Sequence, residues 1–563
     1  MMLEDKRGSQ AGVPTSPAVQ GAKSFLLLAV MLLTVFLSVA NVFIVNVASP
    51  SIQRGLGADF SSLQFVLAGY SLAYAVALIV GGRLGDRFGH KRVLWMGVAG
   101  FTSASFLCGI AVDVPMLVVV RVLQGLSAAM MVPQVLSLIQ LHYPPEKRAG
   151  VFGLYGASQG IAAATGQLIG GGLLRWNPAE LDWRLVFFFS VAIGAAILCM
   201  LPFVDDSKSD SGVKLDWTGA GWVTVGLLML LYPLVQGQKE GWPAPLLVCL
   251  ALSVPVLGAF AWYESRLGRS GGAPFMNVDL FRQRRFTIGM LVVFTLLCSQ
   301  SANFFLTPYV LQMGLGFTAL QTGLVILPMG IGYFFASMYS AKATAKFGRL
   351  YLVLGASLVP ASYVLFAVTV HLTGTAFQGY EYIPALALLG FGQGAVAAPL
   401  TTVILSKIDR KDAGSASGIV ATGMQTAFAV GIALIGIALL NLLASHSDAV
   451  GSRFSQQLRA GLMQIEVKAT EAERLARKFE RCYVHAGSAG EAGDARPYCE
   501  RGTDDSVEAE ALLRSIAKQA SASNYARAFE ICLYGLAGFT AFMLPLILAL
   551  TRSDGRRMKE SAP

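Results

Sequence analysis

Fourteen long apolar segments, separated by charged connections, most constrain how this chain can fold. The mean hydropathy is +0.59, 55% of the residues are hydrophobic and only 13% are charged. A hydrocarbon core of roughly 30 Å is crossed by about 20 apolar residues in a helix. The sequence therefore predicts an all-α polytopic membrane protein. The predicted spans lie near 24–49, 60–82, 92–112, 115–138, 150–174, 184–204, 216–236, 243–263, 286–308, 319–341, 350–370, 383–405, 413–444 and 526–551.

Lys and Arg residues concentrate in every second loop. The six loops on the side of the N-terminus hold 19 of them, whereas the six short loops on the other side hold 4. Because cationic loops stay on the cytoplasmic side, both termini are predicted to be cytoplasmic, in a multi-pass bacterial inner-membrane protein. The net charge of +10 largely reflects this topology. A nucleic-acid-binding function would need a basic soluble domain, and the sequence has none.

One connection is much longer than the others. Residues 445–525 are predicted to lie outside the membrane, with acidic and basic side chains in nearly equal number. Apolar residues recur at helical spacing over 454–465 and again over 507–516, which predicts two amphipathic helices of an external hairpin. Cys482 and Cys499 lie between them. An oxidising exterior favours a disulfide that closes the hairpin, and two free thiols are the alternative.

An internal repeat relates the first six spans to the last six. Span 4 contains Gln124-Gly125 and then Ala128-Ala129, while span 12 contains Gln393-Gly394 and then Ala397-Ala398. Such repeats place a substrate site near the bilayer midplane, between two halves that open alternately. The predicted organisation is a cytoplasmic tail (1–23), a six-helix bundle (24–204), two inserted helices with their loops (205–285), a second six-helix bundle (286–551) that includes the hairpin, and a cytoplasmic tail (552–563).

The most specific motif joins spans 2 and 3 and reads Gly81-Gly82-Arg83-Leu84-Gly85-Asp86-Arg87-Phe88-Gly89-His90-Lys91-Arg92. It resembles the signature loop of the major facilitator superfamily, Gly-x-x-x-Asp-Arg-x-Gly-Arg/His-Arg/Lys. The resemblance implies a cytoplasmic gate in which Asp86 receives N–H groups at the start of span 13, near 413–418. A basic loop that only sets topology is the alternative. The implied gating residues are Gly82, Gly85, Asp86, Arg87, Gly89, Lys91 and Arg92.

Arg121 is the only Lys or Arg within the core of a predicted span, away from its ends. Burying a cation in hydrocarbon costs at least about 2.5 kcal/mol, so its side chain should face water or a polar partner. Arg121-x-x-Gln124-Gly125 resembles the helix-4 motif of the same superfamily, which implies an arginine that lines the cavity and takes part in coupling. The alternative is an arginine that snorkels to the outer surface.

Span 5 is rich in glycine, which permits close helix packing. Its Gly166-Gln167-Leu168-Ile169-Gly170-Gly171 resembles the antiporter motif Gly-Pro-x-x-Gly-Gly, with Gln167 at the proline position. Gly166, Gln167, Gly170 and Gly171 are the implied packing hinge. Together with Asp182-Trp183-Arg184, Asp216-Trp217-x-Gly219 and Asp279-Leu280-Phe281, the fourteen spans resemble the fourteen-helix drug:proton antiporters, a group of multidrug and quaternary-ammonium exporters.

No carboxylate falls in the middle of a predicted span, and Asn41 stands in span 1 where such exporters usually carry an aspartate. Glu530 lies beside Arg527 near the end of span 14, where an interfacial salt bridge is predicted. The cavity is therefore expected to be polar and net positive, which favours neutral or anionic substrates. The candidate lining residues are Asn41, Asn46, Arg121, Gln124, Gln159, Gln300, Asn303 and Gln425. Amides that only join helices through hydrogen bonds are the alternative.

The function indicated is secondary active efflux of amphipathic small molecules by alternating access, with proton antiport expected. A proton-independent facilitator is one alternative. The other is a docking or assembly protein that uses the external hairpin, which could also contact a periplasmic adaptor. An enzyme is not expected, because the sequence shows no phosphate-binding loop, metal-ligand cluster or nucleophile triad. Neither a cofactor nor a metal is predicted, and the expected partners are the substrate, protons and the lipid bilayer.

Overall fold

The computed structural model describes residues 17–203, 216–237, 240–270, 272, 276–405, 413–488 and 507–550. Within these ranges the regular structure is helical and no β-strand occurs. The helices are α1 (Pro17–Leu56), α2 (Phe60–Phe88), α3 (His90–Gly109), α4 (Val114–His142), α5 (Pro145–Trp176), α6 (Arg184–Met200), α7 (Trp217–Gln236), α8 (Ala244–Arg269), α9 (Arg284–Tyr309), α10 (Ala319–Phe347), α11 (Arg349–Thr373), α12 (Ile383–Leu405), α13 (Ala413–Gln464), α14 (Ala469–Ser488) and α15 (Val507–Ala541).

Eleven helices in the described part are long and apolar enough to cross a membrane. The three remaining predicted spans coincide with α3, α5 and α12, which have 20, 32 and 23 residues. At 1.5 Å per residue, each of these three reaches about 30 Å or more. The all-α membrane fold is confirmed, and the number of fourteen spans stays a prediction.

The two halves repeat the same helix contacts. α2 packs along α4 in the first half, and α10 packs along α12 in the second. A Cβ added at Gly125 would lie 2.3 Å from the carbonyl oxygen of Tyr70, and one at Gly394 would lie 2.5 Å from that of Tyr333. Because no side chain fits at such a distance, the Gln-Gly pairs of the repeat mark two equivalent crossings of tightly packed helices.

The inserted helices are tied to the second half by hydrogen bonds. α7 packs on α8 and also contacts α2 and α13. At the end of α8, buried Glu264 accepts the backbone N–H of Met276 at 2.8 Å. Next to it, the Ser265 hydroxyl donates to Asp279 at 3.0 Å, which lowers the pKa of that carboxyl. The start of the second half is thereby held against α8.

The external hairpin contains one helix more than the sequence analysis predicts. α13 continues past the predicted end of its span to Gln464, α14 follows at 469–488, and α15 begins at Val507 and leads back to the membrane. The two predicted helical stretches lie within α13 and α15, and α14 is an additional helix that the prediction did not include. Apolar residues at a spacing of three or four residues do mark α14, and they were overlooked beside the glycine-rich chain that follows. These residues are Ala472, Leu475, Phe479 and Tyr483.

The three helices of the hairpin share an apolar core, separate from the cores of the membrane part. Its buried residues are Phe454, Leu458, Leu462, Ala472, Leu475, Phe479, Tyr483, Ala509, Leu513, Ile516, Ala517 and Ala520. The Tyr483 hydroxyl donates to the Ala520 carbonyl at 3.2 Å, which links α14 to α15. Cys482 is half-buried beside this core. Cys499 lies outside the described residues, so the Cys482–Cys499 disulfide stays a prediction.

Phe479→Ala should loosen the hairpin bundle without disturbing the membrane helices. Phe479 is 1% exposed, and truncating a buried phenylalanine costs about 3–5 kcal/mol. Hydrogen–deuterium exchange should accelerate in peptides from 450–488 and stay unchanged in α4 and α12. Gln456→Ala, at an exposed position on α13, is the matched control. Equal exchange in the two variants would show that the three helices do not stabilise one another.

Candidate functional site

Arg121 lies in the interior of the first half and is 1% exposed. Its Nε donates to the Val66 carbonyl at 3.0 Å, and its guanidinium lies 4.4 Å from the ring centroid of Tyr70. A cation over an aromatic face is attracted by the ring quadrupole. The alternative of an arginine that snorkels to the surface is therefore wrong, because the charge points into the helix bundle.

Two amides complete the surroundings of Arg121. Its Nη1 donates to Asn41 Oδ1 at 2.8 Å and to Gln124 Oε1 at 2.6 Å. The amide nitrogens extend the hydrogen-bond network to two more helices. Asn41 donates to Ser190 Oγ at 3.2 Å, and Gln124 donates to Ser105 Oγ at 2.7 Å. We call these five residues, together with Tyr70, the Arg121 cluster. It joins α1, α2, α3, α4 and α6.

The Arg121 cluster carries an unbalanced positive charge. The groups that accept hydrogen bonds from Arg121 are a backbone carbonyl and two neutral amides. Within the described ranges, no carboxylate interacts with it. The sequence analysis therefore located the cation and its amide partners. It missed Tyr70, Ser105 and Ser190, because a serine or tyrosine in a membrane helix gives no signal of its contacts across the bundle.

A second buried polar group, without a charge, lies in the other half. Gln300 Nε2 on α9 donates to Gln393 Oε1 on α12 at 3.2 Å. The Tyr363 hydroxyl on α11 donates to the Ser299 carbonyl at 3.1 Å. Gln300 was a candidate from the sequence. Gln393 appeared there only in the repeat, which was the signal that could have identified it.

The positions of the two polar groups follow the internal repeat. Gln124 and Gln393 occupy the same place in the Gln-Gly-x-x-Ala-Ala frame. Asn41 and Gln300 each lie eighteen residues before the N-cap of the next helix, Asp59 and Thr318. The same frame places Gly390 where the first half has Arg121. Both halves thus hold a buried glutamine at this helix crossing, and only the first half adds a cation.

The other candidate lining residues do not join the Arg121 cluster. Asn303 donates to Met329 Sδ at 3.5 Å and accepts from Thr307 at 3.1 Å, within the second half. Asn46 is buried, and its side chain forms no hydrogen bond in the part of the chain that the structure describes. The other two lie at half-buried positions: Gln159 donates to Tyr155 at 3.4 Å, and Gln425 lies beside Tyr74.

The contact between Gln425 and Tyr74 crosses from α13 to α2, between the two halves. One turn away, the Thr422 hydroxyl donates to the Ala75 carbonyl at 3.3 Å. Both α13 residues are reached from a helix of the first half. The interface between the halves thus includes the phenol of Tyr74 and the amide of Gln425, and both can bind neutral polar groups.

At the ends that are predicted to face outward, the halves are joined by hydrogen bonds. Gln64 Nε2 on α2 donates to the Ile432 carbonyl at 3.1 Å. Gln312 Nε2 donates to the Val47 carbonyl at 2.9 Å. Gln312 belongs to a π-helical turn (Val310–Gly314) that follows α9, a deviation often found at functional sites. Neither glutamine could be identified from the sequence. Hydropathy reveals neither the π-turn that carries Gln312 nor the contact of Gln64 with the opposite half.

Aromatic rings close the same end. Phe60 of α2 contacts Phe305 and Tyr309 of α9, with ring centroids 5.5 and 5.0 Å apart. Deeper in the membrane, Phe43 and Phe304 meet edge to face at 4.5 Å. We call these ring pairs, together with the bonds of Gln64 and Gln312, the outer gate. In this structure the outer gate is closed.

The predicted gating loop is described only in part. Gln134 of α4 donates to the Gly81 carbonyl at 2.6 Å and lies 2.9 Å from His90 Nδ1, so the loop is fixed to α4. Lys91 Nζ donates to the Pro202 carbonyl at 3.3 Å. The side chain of Asp86 and residues 406–412 lie outside the described part. The latch between Asp86 and the start of α13 therefore stays a prediction.

The implied hinge on α5 faces two partners. A Cβ at Gly170 would lie 2.5 Å from Val47 Cγ1 on α1, and one at Gly171 would lie 2.5 Å from the Ala319 carbonyl on α10. Gly166 likewise packs on α1, at Phe43. One face of α5 therefore packs on α1 of its own half, and the adjacent face packs on α10 of the other half.

The predicted salt bridge of Glu530 is confirmed. Its Oε2 lies 2.9 Å from Arg527 Nη1, and its Oε1 lies 3.1 Å from His371 Nδ1 on α11. Glu530 is 8% exposed, whereas the side chains of both partners are more than half exposed. These contacts join α15 to α11 within the second half and are not part of the Arg121 cluster.

The chain matches known transporters in sequence and in fold. The model of the Major Facilitator Superfamily matches residues 31–432. The probable actinorhodin transporter of Streptomyces coelicolor is 32% identical over 85% of this chain and 83% of its own length. The puromycin resistance protein of Streptomyces alboniger is 34% identical, over 72% and 80%. A bacterial homolog of the human lysosomal transporter Spinster, solved in an inward-facing state, has a TM-score of 0.56 at 15% identity, with 95% of this chain and 99% of that chain covered.

Gln124→Leu should destabilise the protein more than Gln393→Leu. Gln124 uses both ends of its amide, whereas Gln393 Nε2 has no hydrogen-bond partner among the described residues. Without Gln124, an N–H of Arg121 loses its acceptor and Ser105 Oγ loses its donor. An unsatisfied buried group costs about 1–3 kcal/mol. The apparent melting temperature in detergent should fall by several degrees more for Gln124→Leu. Equal losses in these repeat-related variants would contradict the assignment.

Proposed function

Because the chain belongs to the Major Facilitator Superfamily, we propose that it is a secondary active efflux transporter for amphipathic small molecules, of the antibiotic or drug class. Its relatives carry the names of antibiotic and multidrug transporters and resistance proteins. The two repeated halves, with a border of polar and aromatic side chains between them, support alternating access. The closed outer gate then represents one of the two end states.

Arg121 supports a preference for neutral or anionic substrates. A unit charge at about 4 Å contributes about 4 kcal/mol when the effective dielectric constant is about 20. Because Asn41 replaces a carboxylate with a neutral acceptor, the charge of Arg121 is not cancelled inside its cluster. An anionic group that approaches the cluster is attracted, and a cationic group is repelled. This single observation carries the proposed selectivity.

Proton antiport is the proposed form of coupling. The α5 motif and the fourteen predicted spans resemble those of the drug:proton antiporter branch, which supports this proposal. The described acids lie away from the Arg121 cluster, so protons would exchange at the substrate's own acid group or at a peripheral acid such as Glu530. Proteoliposomes with and without an imposed pH gradient test this. Transport that only equilibrates the substrate, at a rate independent of the gradient, would instead establish a facilitator.

The hairpin bundle supplies the second proposal, a contact with a periplasmic adaptor. Its own core and its direct continuity with α13 and α15 make it a rigid projection. For this contact, the hairpin must lie on the periplasmic side, as it does in the proposed inner-membrane topology with both termini in the cytoplasm. Deletion of about 450–520 separates the cases: unchanged export by the folded protein would make the hairpin dispensable for transport, and a loss of export would support gating or docking.

Asn41→Asp should shift export toward cations. A carboxylate 2.8 Å from Arg121 Nη1 would neutralise the cluster and remove the repulsion of positively charged compounds. In proteoliposomes, the ratio of cationic to anionic dye transported should rise about tenfold, which corresponds to a small part of the interaction of two unit charges at contact. The measurement is fluorescence of both dyes in parallel preparations.

Asn46→Asp on the same helix is the matched control. It adds the same charge at a buried position that forms no hydrogen bond with Arg121. An equal shift in both variants would mean that total charge, rather than pairing with Arg121, sets the preference. If wild-type protein already exports ethidium-like cations strongly and ignores acidic compounds, the proposed preference is wrong.

A further inference from the structure

Gln167 is a buried amide that forms no side-chain hydrogen bond with the described residues. It is 1% exposed, and neither Oε1 nor Nε2 has a hydrogen-bond partner in the described part of the chain. Burying an unsatisfied amide is costly, because the hydrogen bonds to water are lost and nothing replaces them. Such a group in a native structure needs a physical explanation. The Arg121 cluster does not supply one, since it uses other residues.

Gln167 lies on α5 where this helix packs closely against α10 of the other half. A Cβ added at Gly323 of α10 would lie 2.8 Å from the Gln167 carbonyl oxygen. One turn further, Gly171 meets Ala319, and toward the other end of the contact Gly160 meets Phe334. These contacts run antiparallel along α5 and α10, so they form a seam between the halves. A movement of one half against the other must change the surroundings of this seam.

We propose that Gln167 is a positioning residue that raises the free energy of the state with the closed outer gate. In this state the amide is sealed at the seam with no partner. When α5 and α10 rearrange, the amide can reach water or a polar group and recover its hydrogen bonds. The cost therefore falls on one end state and shifts the equilibrium toward the other. This inference rests on the proposed alternating access.

The outer gate opposes the effect of Gln167. Gln64 and Gln312 donate to carbonyls of the opposite half only when the outer ends are together. The closed state is thus held by two hydrogen bonds and several ring contacts and is weakened by one unpaired amide. Opposing contributions of similar size keep both end states accessible to a transporter, because neither state then dominates.

Gln167→Leu should shift the protein toward the closed outer gate. Leucine has nearly the same size and no polar atoms, so the unsatisfied amide is removed without opening a large cavity. Hydrogen–deuterium exchange in nanodiscs without substrate reports the opening of each end. Exchange in peptides over 304–318, at the outer gate, should slow about fivefold or more. Exchange in peptides over 138–148, at the predicted inner end, should accelerate.

Gln64→Leu should have the opposite effect, since it removes a bond of the closed gate. Its outer-gate peptides should exchange faster than those of the wild type. Thr165→Val, also on α5, is the control that should leave both ends unchanged, because the Thr165 hydroxyl bonds only within its own helix. If Gln167→Leu does not fold, Gln167→Met offers a longer apolar side chain for the same comparison.

The opposite changes at the two ends separate a conformational role from a structural one. A variant that only became more stable or less stable would slow or accelerate exchange at both ends. Unchanged or faster exchange at the outer gate in Gln167→Leu would overturn the proposal. The readout needs no substrate, so it stands apart from the proposed function. A wild type that exports no compound would overturn that function and leave the exchange result valid.

Discussion

The buried guanidinium of Arg121 is the interaction on which the first half depends. A cation in a membrane interior is tolerated only when polar groups surround it, and here helices on every side of α4 supply them. Asn41 and Gln124 accept hydrogen bonds from its guanidinium, and each amide then donates to a serine of another helix. The bundle is thereby organised around a charge that is solvated by dipoles and not neutralised by an acid.

Comparison of the halves shows what the charge adds. The second half holds Gln393 against Gln300 at the equivalent crossing, with Gly390 where Arg121 would be. Glycine there permits the backbones of α10 and α12 to touch, since a Cβ would lie 1.8 Å from the Met329 carbonyl. The first half thus places a buried cation at the position that the second half uses for close helix packing. The two repeat-related halves therefore differ in charge at this position.

Much of the fold follows from hydropathy, because crossing a membrane requires one long apolar helix after another. The buried Arg121 and its two amide partners were also predictable, since a lone cation in a span needs polar neighbours. What hydropathy cannot predict is which helices meet across the bundle. Tyr70, Gln64 and Gln312 became visible only in three dimensions, the last on a π-turn. α14 was missed because its apolar spacing stands within a polar, charged segment.

The uncancelled charge of Arg121 and the unpaired amide of Gln167 have related consequences. Each is a buried polar group whose demand is not fully met in the state with the closed outer gate, and each can be satisfied by a change that transport requires. An anionic substrate would neutralise the charge of Arg121. A rearrangement of the seam between α5 and α10 would let the Gln167 amide form hydrogen bonds. A fully satisfied interior would be more stable but would favour one conformation. The closed state is therefore held mainly at its outer rim, by Gln64, Gln312 and the ring contacts of Phe60, where a few short contacts can break together.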